Sequence, residues 1–325
     1  MNIGLIHVDG ILPNLVLMKL SAYHKSVGDT VSLIRPKIKT GYETIINDFD
    51  KIYMSVVFEK NTKKALQFSE QFDNIEIGGY FIDKEKTLPY HIEHIMPDYS
   101  LYNCNYSIGF ATRGCIRKCP WCIVPKKEGK IYPNADIYEF WNPLHKHIVF
   151  YDNNILAHPQ HFKKIILQLK KENLSADFNQ GLDVRLLNDE NTQLLSQIKI
   201  KPEPRFAFDT LSVEPAVLKG IHLLKKYHIN RALWYVLVGF NTTWEEDMYR
   251  VQLLKKHGQR PYVMRYKTIK NKKNPDYHKY NLFSSWVNQY QFFSSMSFEK
   301  FIELTKDRTK IKYKKKHPSL DSFGF

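Results

Sequence analysis

Three cysteines crowd into a short stretch of this 325-residue chain: Cys115, Cys119 and Cys122 form a C-x3-C-x2-C array inside residues 109–122, G-F-A-T-R-G-C-I-R-K-C-P-W-C. Thiolates brought to one point select a soft metal. Their number is informative. A structural zinc site and a four-iron cluster each have four corners to fill, so three local thiols leave one corner for another kind of ligand. Two chemistries stay open on the residues alone. One is a zinc knuckle closed by a distant histidine such as His145 or His147; the other is an iron–sulfur cluster with one accessible iron.

The array follows Arg113-Gly114 and has an aromatic, Trp121, just before its last cysteine. In this it resembles the signature of the radical S-adenosylmethionine (SAM) enzymes. That resemblance implies a four-iron four-sulfur (4Fe-4S) cluster on Cys115, Cys119 and Cys122, with Trp121 beside the cofactor. It also implies that the amino and carboxylate groups of SAM chelate the fourth iron. One electron then releases a 5′-deoxyadenosyl radical, which takes a hydrogen atom from an organic substrate. In such enzymes the cofactor carries the hard chemistry and the protein orients it.

An apolar strand pattern over residues 106–110 must deliver this loop, and a series of strands and helices follows it. Strands are predicted at 148–151, 176–179, 205–208, 233–238 and 262–266, and helices at 159–171, 190–198, 214–227 and 244–256. Counting the strand ahead of the cysteines, this makes six βα repeats, matching the partial (β/α)6 barrel that the resemblance implies. Upstream, strands at 2–8, 30–34, 51–58 and 75–82, with helical spacing over 15–23 and 62–72, predict a small doubly wound α/β unit. It resembles the flavodoxin-like, cobalamin-binding-type domain that precedes the barrel in one branch of the family. The cobalt-ligating D-x-H-x-x-G pattern is absent, the order here being His7-Val8-Asp9-Gly10, so cobalamin is not expected. His7 then reads as a core or turn histidine. The expected division is 1–100 for this domain, 101–268 for the barrel, and 269–325 for an aromatic helical extension with a basic tail. Trp286, Tyr290, Phe292, Phe293 and Phe298 read as core packing in preference to a base-stacking platform.

Composition bounds the partners. No apolar run approaches the roughly 20 residues that span a bilayer, and the start of the chain lacks a leader pattern; a soluble, cytoplasmic protein is expected. With three of the four cysteines in one loop, a disulfide scaffold is not the plan, and Cys104 reads as a small buried hydrophobe. The net charge of +15 admits an RNA partner such as tRNA. Its densest run, residues 306–317, reads equally as a solvated tail.

In parallel-strand barrels the site lies at the C-terminal strand ends, which selects the remaining candidates. After the second strand, Asp152, Asn153 and Asn154 stand where the family binds the SAM amino group; an Asx turn or helix cap is the structural alternative. After the third come Asn179, Gln180, Asp183 and Arg185. Arg185 could fork the SAM carboxylate, the others could read a hydrogen-bonding substrate, and an Asp183–Arg185 structural pair is the alternative. Asp209 matches the ribose-binding position and Gly239 the adenine-proximal glycine motif, with Thr242 or Thr243 as a helix cap. Met264 offers a backbone edge to adenine; Arg265 and Tyr266 face the substrate.

Without a second cysteine cluster or cobalamin, the resemblance narrows to rearrangement, elimination or bond lysis. The layout is similar to the queuine lyases, radical SAM lyases of queuosine salvage. These act on the free nucleobase queuine, release its deazaguanine precursor and draw electrons from a donor such as flavodoxin or ferredoxin. A radical SAM enzyme of tRNA modification and a non-catalytic iron–sulfur or zinc RNA-binding protein are the two other readings.

Overall fold

The computed structural model describes residues 1–9, 12–34 and 48–306; Gly10 and the basic run from 307 onward lie outside the described residues. The chain is α/β with parallel sheets, in two compact units. The first comprises residues 1–180 and 197–202, the second 181–196 and 203–325.

The first unit opens with β1 (Asn2–His7), α1 (Leu15–Ser26), β2 (Thr30–Ile34), β3 (Lys51–Ser55), α2 (Glu59–Ser69) and β4 (Ile75–Gly78). These strands form a parallel sheet in the order β2-β1-β3-β4. Right-handed crossovers on either side of a central first strand send the helices to opposite faces. The apolar alternation agrees. Ile3 and Leu5 pack on Leu17 and Leu20 of α1, while Ile6, Ile52 and Met54 pack on Ala65 and Phe68 of α2. Buried on both faces, β1 reads as a continuous apolar run. Strand β3 ends at Ser55, three residues earlier than its pattern predicts, because the N–H groups of Val57 and Phe58 turn to the Asp9 carboxylate at 2.7 and 2.8 Å. His7 is buried with its ring edge-on to Tyr102.

After the short helix α3 (Tyr90–Glu93), a second sheet forms from β5 (Ser107–Gly109), β8 (His147–Phe150), β9 (Ser175–Phe178) and β10 (Lys199–Ile200). Between β5 and β8 lie β6 (Thr112–Arg113), α4 (Val124–Lys127) and β7 (Tyr132–Pro133); α5 (Pro159–Lys171) links β8 to β9. All four strands are parallel and adjacent in chain order, with Gly109 level with Phe150 and Phe150 level with Phe178. Strand β10 is an addition to the expected series. Helix α5 buries Phe162, Ile165, Ile166 and Leu169, the i, i+3, i+4, i+7 stripe that its sequence predicts.

The second unit holds α6 (Asp189–Ser196), then β11 (Arg205–Ala207), α7 (Glu214–Lys226), β12 (Leu233–Val238), α8 (Trp244–Lys256) and β13 (Arg260–Arg265), with the strands parallel and in chain order. Helices α9 (Tyr277–Asn288) and α10 (Tyr290–Ser295) follow. Their aromatics form a core. Phe283, Trp286 and Phe293 are fully buried, and Trp286 meets Phe293 and Phe298 at centroid distances of 4.8 and 5.4 Å. No helix among the described residues is long and apolar enough to cross a membrane.

Candidate metal loop and strand-end residues

The register of the second sheet decides what gathers at its C-terminal edge. With residues 109, 150 and 178 level, the segments that follow them leave together: the cysteine loop, Asp152–Asn154, and Asn179–Gln180. The chain holds them there through Tyr151 N–H to Gly109 O at 2.9 Å and Asn179 N–H to Phe150 O at 3.1 Å.

The cysteine loop is closed at its base by an antiparallel ladder that pairs Thr112 with Pro133 and Arg113 with Tyr132. Gly114 (φ +78°) turns the chain where a Cβ would overlap the Lys130 carbonyl oxygen. Cys115 N–H then donates to Gly129 O at 3.1 Å, and Cys122 N–H to Cys119 O at 3.0 Å. All three thiols are half-buried and none is in a disulfide. Cys115 Sγ accepts from Arg117 N–H at 3.3 Å and from Asn154 Nδ2 at 3.5 Å. Such donors favour a thiolate over a thiol. Trp121 is half-buried on the same loop.

Asp152 and Asn153 serve the loop from below. Asp152 is buried at 4% exposure and accepts from Ala111 N–H, Thr112 N–H and the Thr112 hydroxyl, at 2.9, 2.5 and 2.6 Å. Burial pushes its carboxyl up to about 6, against the opposing pull of these donors. Both its oxygens are committed to the strand that leads into the cysteines. Asn153 Nδ2 donates to Glu128 Oε2 at 2.9 Å, the oxygen that also takes Gly114 N–H at 3.0 Å. Arg113 lies between Glu128 and Glu93, 3.5 and 3.0 Å away, over the Phe110 ring at 3.6 Å. Glu93 in turn holds the buried Lys19 of α1 at 2.9 Å. Burial opposes it, but Lys19 and Arg113 keep the Glu93 carboxyl below its ordinary value. Glu93 and Glu128 escape sequence reasoning, because an isolated acid among basic neighbours has no spacing signature. The one available signal is Glu128 as the lone carboxylate of a lysine-rich loop.

The second unit brings the other candidates to its own strand ends. Asp209 Oδ1 accepts Leu237 N–H at 3.0 Å, and burial raises its carboxyl. Gly239 (φ +71°) gives its N–H to Asp247 at 3.2 Å, and a Cβ there would overlap Ile269. Thr243 caps α8 in a reciprocal box with Glu246, as T-W-E-E predicts. Met264 is 46% exposed on β13. Tyr266 N–H donates to Val238 O at 3.0 Å and its ring meets Phe240 edge-on. Arg265 Nη1 and Thr242 Oγ1 are buried without a hydrogen-bond partner among the described residues. Asp183 and Arg185 form the forked pair: Nε to Oδ1 at 2.6 Å and Nη2 to Oδ2 at 3.1 Å.

His145 and His147 sit at the opposite, N-terminal edge of the second sheet, on Ser107 at 3.0 Å and Ser175 at 2.9 Å. Among the described residues no three His, Cys, Asp or Glu side chains are gathered into a ready metal cage. The donor chemistry nevertheless fits a cluster: three soft thiols on one tethered loop, with amide donors on the first. No protein-family model matches the chain, and no curated protein matches it.

Proposed function

We propose that this protein is a radical SAM enzyme, a lyase acting on a small organic substrate. The observation that carries the proposal is the three-thiol loop at the C-terminal edge of a parallel sheet, with Asn154 from the adjoining strand end donating to Cys115 Sγ at 3.5 Å. Cys115, Cys119 and Cys122 would hold the 4Fe-4S cluster, which with SAM supplies a carbon-centred radical able to take hydrogen from an unactivated position.

Everything else falls to the chain's own residues. Arg117 N–H and Asn154 stabilise negative charge on the first thiolate. Asp152 and Glu128 pin the two arms of the loop, so gathering the thiols costs less ordering. In the second unit, the orphaned Arg265 Nη1 and Thr242 Oγ1 are donors in want of an acceptor, which a polar ligand at those strand ends supplies. The sequential strand orders of the second and third sheets support a barrel of the radical SAM type, and the order β2-β1-β3-β4 supports a flavodoxin-like domain ahead of it. As substrate we propose a free deazaguanine base, queuine, whose polar edge the amides of Asn179 and Gln180 would read.

Anaerobic reconstitution with iron and sulfide, then dithionite and SAM, tests the class. Wild type forms 5′-deoxyadenosine and Cys119→Ala does not. Adding queuine, then tRNA, sorts the substrates by the rise in 5′-deoxyadenosine each produces. A protein that binds iron yet never cleaves SAM overturns the catalytic reading.

A further inference from the structure

The cysteine loop presents an outer face that its metal role does not use. Lys118, Lys126, Lys127 and Lys130 are exposed there. Among them Ile116 and Ile123 are 47% and 40% exposed, on the same short loop whose ends are joined by the β6–β7 ladder. The lone carboxylate between residues 113 and 132, Glu128, has a side chain only 10% exposed and is committed to Arg113, Gly114 and Asn153. No acidic side chain of the loop therefore offsets the lysines.

We propose that this face docks an acidic one-electron carrier protein, which delivers its electron to the centre held behind it. The proposal rests on the reading of Cys115, Cys119 and Cys122 as cluster ligands. Transient redox complexes use small interfaces, with an apolar centre and a charged rim, and here two isoleucines stand among four lysines. Charge on the rim steers encounter more than it adds affinity, which suits a carrier that must leave after each turnover. A nucleic-acid surface would pair its cations with aromatic platforms; the exposed apolar groups among these lysines are aliphatic and cannot stack on a base. What crosses the surface is one electron: the carrier is oxidised by one, the centre is reduced by one, and no bond forms or breaks.

Flavodoxin is the probe, titrated against the reconstituted holoprotein at low and at high salt. The charge-reversal variant is Lys118→Glu/Lys126→Glu/Lys127→Glu. The control is Lys163→Glu/Lys164→Glu/Lys171→Glu on α5, which changes net charge equally. We expect the loop variant to bind flavodoxin at least about tenfold more weakly, wild-type affinity to fall with salt, and the control to stay close to wild type. Equal affinity of wild type and loop variant overturns the proposal, as does an equal loss in both variants. So does a loop variant that keeps flavodoxin but loses tRNA. Dithionite-driven cleavage of SAM needs no docking; measured alongside, it tests the cluster reading separately, and the flavodoxin affinities stand whatever it returns.

Discussion

The carboxylate of Glu128 accepts the side-chain amide of Asn153 at 2.9 Å, and the same oxygen holds Gly114 N–H at 3.0 Å. One acid thus ties the residue before the first cysteine to the strand end beside it. Replacing it by alanine strands two donors and half-frees Arg113, which still has Glu93. Glu128→Ala should lose about 1–3 kcal/mol in urea unfolding and retain far less iron after anaerobic reconstitution. Asn153→Ala should be milder, because Gly114 and Arg113 keep their acceptor. Full iron loading of Glu128→Ala would show that the loop is organised without it.

Asp152 predicts a pH dependence. Its carboxyl is pushed up to about 6 by burial, above the unfolded value of about 3.9. The folded chain therefore keeps this proton longer and binds more protons across that window. Stability from this group is greatest below the window and falls as pH rises through it, by at most about 3 kcal/mol. Asp152→Asn cannot titrate, so the stability of wild type relative to the variant should decline between about pH 4 and 7. Urea unfolding of both proteins across that range is the measurement, and parallel curves would remove Asp152 as the cause.

Much of this was legible in the residues, and the exceptions share a physical reason. Long apolar runs such as Leu233–Val238 announce strands, and T-W-E-E announces the α8 cap. Asp183 and Arg185 stood two apart with a turn between them, and they pair. What stayed hidden were polar groups placed where apolar ones are usual. Helix α8 buries Asp247, Arg250, Val251 and Leu254 at i, i+3, i+4 and i+7. By composition the first two look like a solvated pair; only extending the apolar stripe backward shows that they face the core.

That buried pair sets the third prediction. Asp247 and Arg250 are both fully buried and bonded to one another; Arg250 also donates to Phe208 O at 2.5 Å and Leu237 O at 2.9 Å, while Asp247 accepts Gly239 N–H and the Tyr280 hydroxyl at 2.7 Å. Burial, then the Asp247 charge, raises the Tyr280 phenol, so it stays a donor. Removing one partner leaves an uncompensated charge, which costs about 3–5 kcal/mol. Arg250→Met should therefore be severely destabilised in urea, and adding Asp247→Asn should recover part of the loss. A double variant no better than the single would mean that the bonds of Arg250 to the carbonyl oxygens dominate.

Gly114 separates loop geometry from overall stability. It holds φ +78°, and a Cβ would overlap the carbonyl oxygen of Lys130, a backbone atom that cannot swing away. Alanine here meets both the left-handed penalty of about 1 kcal/mol and a clash relieved only by parting the two arms of the loop. Parting them breaks Cys115 N–H to Gly129 O and withdraws Gly114 N–H from Glu128. The sheets beneath lie outside that damage. Gly114→Ala should therefore keep most of its unfolding free energy, yet expose its thiols faster to a thiol reagent and fail to retain iron. Gly129→Ala is the comparison: φ is +71° there too, but nothing lies within 4 Å of the added carbon, so it carries the backbone penalty without the clash. Equal loss of iron in both variants would assign the effect to backbone strain alone; loss in Gly114→Ala only would assign it to the contact with Lys130.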